Sequence, residues 1–185
     1  MKTGEELHVP YTDEEIVRRV REGDLNAYGQ LIDRYQQRLV ATAHHLLGDL
    51  DAARDAVQET FIEAYRHLDQ LHDPLRLGGW LFAILRHRVY DHLSKRRHAV
   101  SWEEEMAEEW YVPVGPEERV DLPALLNLLP AADRELRAAR YLQELSYDEI
   151  ALALGTSAKN VRVRVCRAKE RLRTLLARAE EEVGL

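Results

Sequence analysis

The chain has 185 residues, 45% of them hydrophobic and 32% charged, enough apolar surface for one large or two small packed domains and too much for a wholly disordered chain. Its formal net charge of -7 would argue against a nucleic-acid partner if the charge were evenly spread, so the partition of charge along the chain decides that question. A single cysteine, Cys166, excludes an intramolecular disulfide and every Cys-cluster metal site, and the apolar runs Leu122 to Leu129 and Ile150 to Leu154 fall far short of the roughly 18 residues of a membrane span.

The first residues, Met-Lys-Thr-Gly-Glu-Glu-Leu, carry acids where a secretory signal would be apolar, so a cytoplasmic protein is expected. Thr12 with Glu15 forms a capping box, and Ile16 and Val20 share one face of a helix that Gly23 ends. Asp24 caps a second helix, whose Tyr28, Leu31, Ile32, Tyr35, Leu39 and Ala43 form a buried stripe running out at Gly48. Asp49 or Asp51 opens a third. Its apolar face is Ala53, Val57, Phe61, Ala64, Tyr65 and Leu68, leaving Asp55, Gln58, Glu59 and Glu63 for the polar side. His72-Asp73-Pro74 and Gly78-Gly79 are breakers and predict a loop from about Asp69 to Gly79. A fourth helix, Trp80 to about Arg97, sets Trp80, Ile84, His87 and Asp91 at near-helical spacing, with His87 and Asp91 as a polar pair four apart. Core packing is the expected role of Trp80.

Residues 99–120 have no sustained period. They carry Glu103, Glu104, Glu105, Glu108, Glu109, Glu117 and Glu118, with Pro113, Gly115 and Pro116, and read as an acidic flexible linker. The second domain then begins near Leu122 with a helix from Pro123 to Leu129, followed by a helix from Ala131 to Leu142. Ser146 and Glu149 form a second capping box, Gly155 stops the helix they start, and Ser157 caps the last one. That helix buries Val161, Val165, Ala168 and Leu172; its alternating Val161 to Val165 stretch is strand-like alone, but the cap and the sustained 3.6 period favour helix. The fold expected is all-α: an N-terminal helical bundle over 1–98 and a C-terminal four-helix domain over 121–185, joined by the linker.

A short helix, a turn at Gly155 and a longer helix carrying Lys159, Arg162, Arg164, Arg167, Lys169, Arg171 and Arg173 form a helix-turn-helix. Such a helix fits the roughly 12 Å major groove. Arg162, Val163, Cys166 and Arg167 share its outer face, where arginine can read guanine and valine can touch a thymine methyl.

With these motifs in hand the sequence resembles the bacterial sigma-70 family, specifically the short extracytoplasmic-function sigma factors. The resemblance runs from about Asp13 to Leu176. It rests on Asp55-Ala56-Val57-Gln58-Glu59-Thr60-Phe61, Gly79-Trp80-Leu81-Phe82 with Arg88 and Asp91, Leu128-Leu129-Pro130, Leu145-Ser146-Tyr147-Asp148-Glu149-Ile150-Ala151, Leu154-Gly155, and Val161-Arg162 through Arg171-Leu172. It implies a factor that binds core RNA polymerase, at the clamp and flap regions, and directs initiation at promoter DNA. By this resemblance Asp55, Gln58 and Glu59 dock on the clamp of the largest subunit. Arg86, His87, Arg88, Lys95, Arg96 and Arg97 line the element that reads and opens the -10 region. Ser157, Lys159, Asn160, Arg162, Val163, Cys166 and Arg167 are the candidates for reading the -35 element. The linker resembles the segment that runs near the polymerase's RNA path, and an anti-sigma factor is the implied regulatory partner. His87 stands where relatives often have Asn, and Val163 where they often have Ser or Thr, so the family average does not fix base preference at those positions.

No catalytic function is expected. Neither a phosphate-binding Gly-rich loop nor a nucleophile elbow is present, and the eight histidines lack metal-ligand spacing, so neither cofactor nor metal is expected. The reading from another class is a stand-alone helix-turn-helix regulator that binds duplex DNA without polymerase; it leaves Asp55, Gln58 and Glu59 and the basic fourth helix unexplained.

Overall fold

Reciprocal hydrogen bonds between Thr12 and Glu15 start α1 (Asp13–Arg21), which buries Ile16, Val17 and Val20. The Asp24 carboxylate accepts from the backbone of Asn26 and Ala27 to cap α2 (Leu25–Leu47), and Asp49, of the two candidates, does the same for α3 (Leu50–Arg66). The computed structural model describes residues 11–100, 126 and 128–183. Within them no strand occurs and no helix is long and apolar enough to cross a membrane. The linker and the helix expected from Pro123 lie almost wholly outside the described residues.

The stretch expected as a loop is shorter than its breakers suggest. Two single 3-10 turns, Leu68–Gln70 and Pro74–Arg76, lead into α4 (Leu77–Val100), so Gly78 and Gly79 lie inside its first turn. Tertiary packing explains the exception to glycine's poor helix propensity. A side chain at Gly79 would meet Glu149 Cβ at 3.1 Å, and one at Gly78 would meet Leu145 and Tyr35 at 3.5 Å, so two neighbouring elements lie directly against this turn.

Helices α1 to α4 enclose one core, centred on Leu31, Leu39, Leu77, Leu81 and Leu85, all fully buried. Trp80 packs half-buried on it, as expected. Tyr65, expected in the apolar face of α3, is 47% exposed because it points into a surface groove between α2 and α3. The C-terminal domain comprises α5 (Ala131–Arg137), α6 (Tyr147–Ala153) and α7 (Ala158–Val183). The helix expected to run to Leu142 widens after Arg137 into a π turn over Ala138–Leu142. Val161 to Val165 is helical, the strand alternative being excluded.

The two domains pack against each other. Phe82, projecting from α4, is fully buried, and it belongs to the C-terminal core with Leu136, Ala139, Leu145, Ile150, Val161 and Val165. Gln143 Nε2 donates to Thr42 Oγ1 at 2.8 Å, both residues buried. Arg86 pairs with Glu135, which is 4% exposed, and Arg38 with Glu144 at 3.4 Å. On the same junction, burial holds the His45 imidazole below its ordinary pKa of 6.5, helped by the charges of Arg134, Arg137 and His44.

A histidine kept neutral in the folded state binds fewer protons than in the unfolded chain, so it costs stability as pH falls below about 6.5, until its folded pKa is passed. We expect the melting temperature to drop between about pH 7.5 and 5.5, and His45→Gln to flatten that slope in a thermal scan. An unchanged slope in the variant would remove His45 from this account.

Candidate functional site

The helix-turn-helix is built from local chemistry. Ser146 and Glu149 bond reciprocally at 2.8 and 3.2 Å to start α6. Gly155 then takes φ of +61°, a left-handed conformation that suits glycine, and turns the chain. Ser157 Oγ accepts from the Asn160 backbone at 3.2 Å to open α7. Val161 and Ala168 are fully buried and Val165 nearly so, which rotates Lys159, Asn160, Arg162, Val163, Cys166 and Arg167 outward together. All six are exposed. The seventh candidate, Ser157, has its hydroxyl engaged as the cap.

Two features around this face were not anticipated. Tyr147 carries Arg162 on its ring at 5.3 Å and Arg140 at 5.2 Å, so one of the outward guanidiniums is held over an aromatic support. Arg171 pairs with the buried Asp133 and ties α7 to α5.

The basic face of α4 is less open than its sequence suggests. His87, Lys95 and Arg96 are exposed; the Arg97 side chain lies outside the described residues. Arg86 is committed to Glu135 and lies over the Tyr90 ring at 4.9 Å. Arg88 donates to Glu63 at 2.8 Å and to Asp91 at 3.2 Å, so Asp91 pairs with Arg88 where the spacing had suggested His87. Beside this face, Leu71, His72, Arg76, Trp80 and Ala83 line a pocket of about 400 Å³ with Glu149 and Leu152 of α6.

The candidate docking residues on α3 do not form one patch. Asp55 is exposed, and Gln58 lines an open groove of about 1130 Å³ whose walls include Leu25, Ile32, Val40, Ile62 and Tyr65. Glu59 turns toward α4 and lies 3.7 Å from His92 Nε2, beyond hydrogen-bond length. Gln58 and Glu59 are neighbours about 100° apart on the helix, which divides them between two surfaces. The apolar groove beside Gln58 escaped the sequence reading, although Ile62 and Tyr65, three apart on α3, were its signal.

No group of three or more His, Cys, Asp or Glu placed to hold a metal ion occurs among the described residues.

Two family models match the chain: Sigma-70 region 2 over residues 31–99 and Sigma-70, region 4 over residues 119–172. The chain is similar to the RNA polymerase sigma factor NccH of Alcaligenes xylosoxydans xylosoxydans, 34% identical over 178 residues that cover 90% of this chain and 96% of the relative. It is similar as well to the ECF RNA polymerase sigma-E factor of Escherichia coli (strain K12), at 30% identity over 175 residues covering 86% and 91%. Among solved structures, CnrH in complex with the cytosolic domain of CnrY superposes with a TM-score of 0.68 at 26% identity, over 89% of this chain and 97% of that one. The sigma factor RpoE of Bartonella quintana, in complex with the anti-sigma factor NepR, gives 0.64 at 29% identity, over 81% and 96%.

Proposed function

Since this chain belongs to the sigma-70 family, in its extracytoplasmic-function group, we propose a division of labour between its two domains. The chain directs RNA polymerase to promoters. The domain over 121–185 reads the -35 element through α7, the domain over 1–98 docks on the polymerase clamp and opens the -10 element, and residues 99–120 join the two.

The observation that carries the -35 assignment is the exposed row from Lys159 to Arg167 backed by buried Val161, Val165 and Ala168. A rigid helix with its inner face locked presents Arg162 and Arg167 at fixed positions, as base readout in a groove requires. Val163, 42% exposed, offers an apolar contact. His87, Lys95 and Arg96, open on α4, are the residues available to the -10 strand, with Arg86, Arg88 and Arg97 completing the track. Asp55 and Gln58 with the groove between α2 and α3 form the docking face, and Glu59 supports it from the side. The chemistry of RNA synthesis stays with the polymerase; this chain supplies positioning, in the cytoplasm. Regulation by an anti-sigma factor is supported by likeness to RpoE, solved in complex with the anti-sigma factor NepR, while CnrH was solved in complex with the cytosolic domain of CnrY.

The test is run-off transcription with core RNA polymerase on a pool of promoter fragments. Arg162→Ala and Arg167→Ala should each lower factor-dependent transcript by roughly fivefold or more, matching about 1–3 kcal/mol per base contact. The loss should vanish on fragments changed at the base each arginine reads. A uniform loss on every fragment would instead make these residues phosphate contacts.

A further inference from the structure

The segment between α3 and α4 holds a shape that its own backbone does not enforce. A single 3-10 turn has poor hydrogen-bond geometry and leaves carbonyls without an internal partner. Here two such turns, Leu68–Gln70 and Pro74–Arg76, follow one another with Leu71 to Asp73 between them. Apolar anchoring secures one side: Leu68 and Leu71 are buried and belong to the N-terminal core.

The other side is secured from α1. Arg21, in the last turn of that helix, donates through Nη2 to the Leu68 carbonyl at 2.9 Å and to the Leu71 carbonyl. One guanidinium thus bridges the start of the first turn and the residue that follows it, across 47 and 50 residues of sequence. Hydrogen bonds from a charged donor are the stronger kind. Helix α1 also packs on both turns, so the whole segment is referred to it.

What Arg21 fixes is the wall of a pocket. Past Leu71 the chain carries His72, Asp73 and Arg76, which with Trp80 and Ala83 of α4 form the N-terminal domain's share of the pocket of about 400 Å³. The Asp73 carboxylate accepts from the Leu75 backbone at 3.1 Å and pairs with Arg76 at 3.1 Å, so the second turn is internally set once Leu71 is placed. Trp80, Ala83 and His87 follow at helical spacing along α4, which puts the pocket in line with a residue assigned to the -10 strand. An aromatic wall, apolar neighbours and flanking polar groups suit an unpaired base, which is held by stacking and by hydrogen bonds to its edges.

We infer that Arg21 is a positioning residue for promoter opening: by holding the Leu68 and Leu71 carbonyls it presets the wall from His72 to Arg76 against which a base of the opened -10 strand is selected. The inference rests on the assignment of the -10 element to the N-terminal domain. A wall set in advance spares the cost of ordering it on binding. It also sharpens choice, because a base is discriminated only by groups whose positions do not yield to it.

The test uses holoenzyme assembled from core polymerase and the full chain. Its probe is a single-stranded oligonucleotide with the non-template -10 sequence of a promoter the factor transcribes, each position changed in turn to every other base. Arg21→Met removes the donors and keeps the aliphatic stem. It should weaken the preferred oligonucleotide by about tenfold and flatten the ranking of bases at the selected position, while affinity for core polymerase stays at the parent's level. Should Arg21→Met fail to fold, Arg21→Gln, too short to reach both carbonyls, takes its place with the same expected sign. A parent-like base ranking in the folded variant overturns the inference. An equal loss on every oligonucleotide makes Arg21 a phosphate contact or a general support and overturns it too. If the parent holoenzyme ranks no -10 base above another, the failure lies with the proposed function, a result read before any variant is made.

Discussion

Replacing Phe82 by alanine is expected to uncouple the two domains. Its ring is fully buried among Leu136, Leu145, Ile150 and Val161, and truncating such a phenylalanine costs about 3–5 kcal/mol. The cost falls on the packed state alone, because the ring leaves that core when the domains part. The balance between packed and open forms should therefore shift by roughly a hundredfold or more toward open. In chemical denaturation, one cooperative transition should split into two, the C-terminal domain unfolding first. Small-angle scattering should report a larger radius of gyration before any unfolding begins. A variant that keeps a single transition and the parent's radius would show that Phe82 does not carry the junction.

The second large effect belongs to the proposed docking face. Asp55→Ala with Gln58→Ala should weaken binding to core polymerase by about 2 kcal/mol or more, roughly thirtyfold, as expected when central contacts of an interface are truncated. Ile62→Asp should do the same without touching either residue, because it places a charge in the apolar groove that Gln58 borders. Glu59→Ala is expected to cost less than about threefold, since its carboxylate faces His92 on α4 rather than the groove. A titration of labelled factor with core polymerase separates these cases. Losses that rank Glu59 with Gln58 would move the docking face round α3 and away from the groove.

The parts of this protein that were legible in its sequence are those determined locally. Thr12, Asp24, Ser146 and Ser157 act within three residues of themselves, so each cap could be read before any tertiary contact was known. The outward row on α7 was legible for the same reason, because Val161, Val165 and Ala168 keep helical period and fix what faces away. The junction was not legible. Arg86 and Glu135 are 49 residues apart and Gln143 and Thr42 are 101 apart, distances at which periodicity carries no signal. Phe82 entered the sequence reading only within the motif Gly79-Trp80-Leu81-Phe82, with nothing to say whose core it fills. Gly78 and Gly79 were misread because glycine's low helix propensity is visible in sequence, whereas the packing of Leu145 on Gly78 and the close approach of Glu149 that leaves little room for a Cβ at Gly79 are not. The split of Gln58 from Glu59 escaped for a related reason: a spacing rule gives angles around a helix, and only the packed neighbours tell which angle meets solvent.

Phe82 also sets a limit on modularity. Matching segments of two sigma factors invite recombination at the linker, as if each half were a self-sufficient part. Here the C-terminal core is completed by a ring supplied from the other half. A chimera joining this N-terminal half to a C-terminal half without a matching cavity leaves the phenylalanine exposed, and the reciprocal chimera with a half lacking the ring leaves the cavity empty. The fit between Phe82 and its cavity is one piece of packing divided between the two halves, so a linker exchange preserves the junction when both halves come from chains that share that fit.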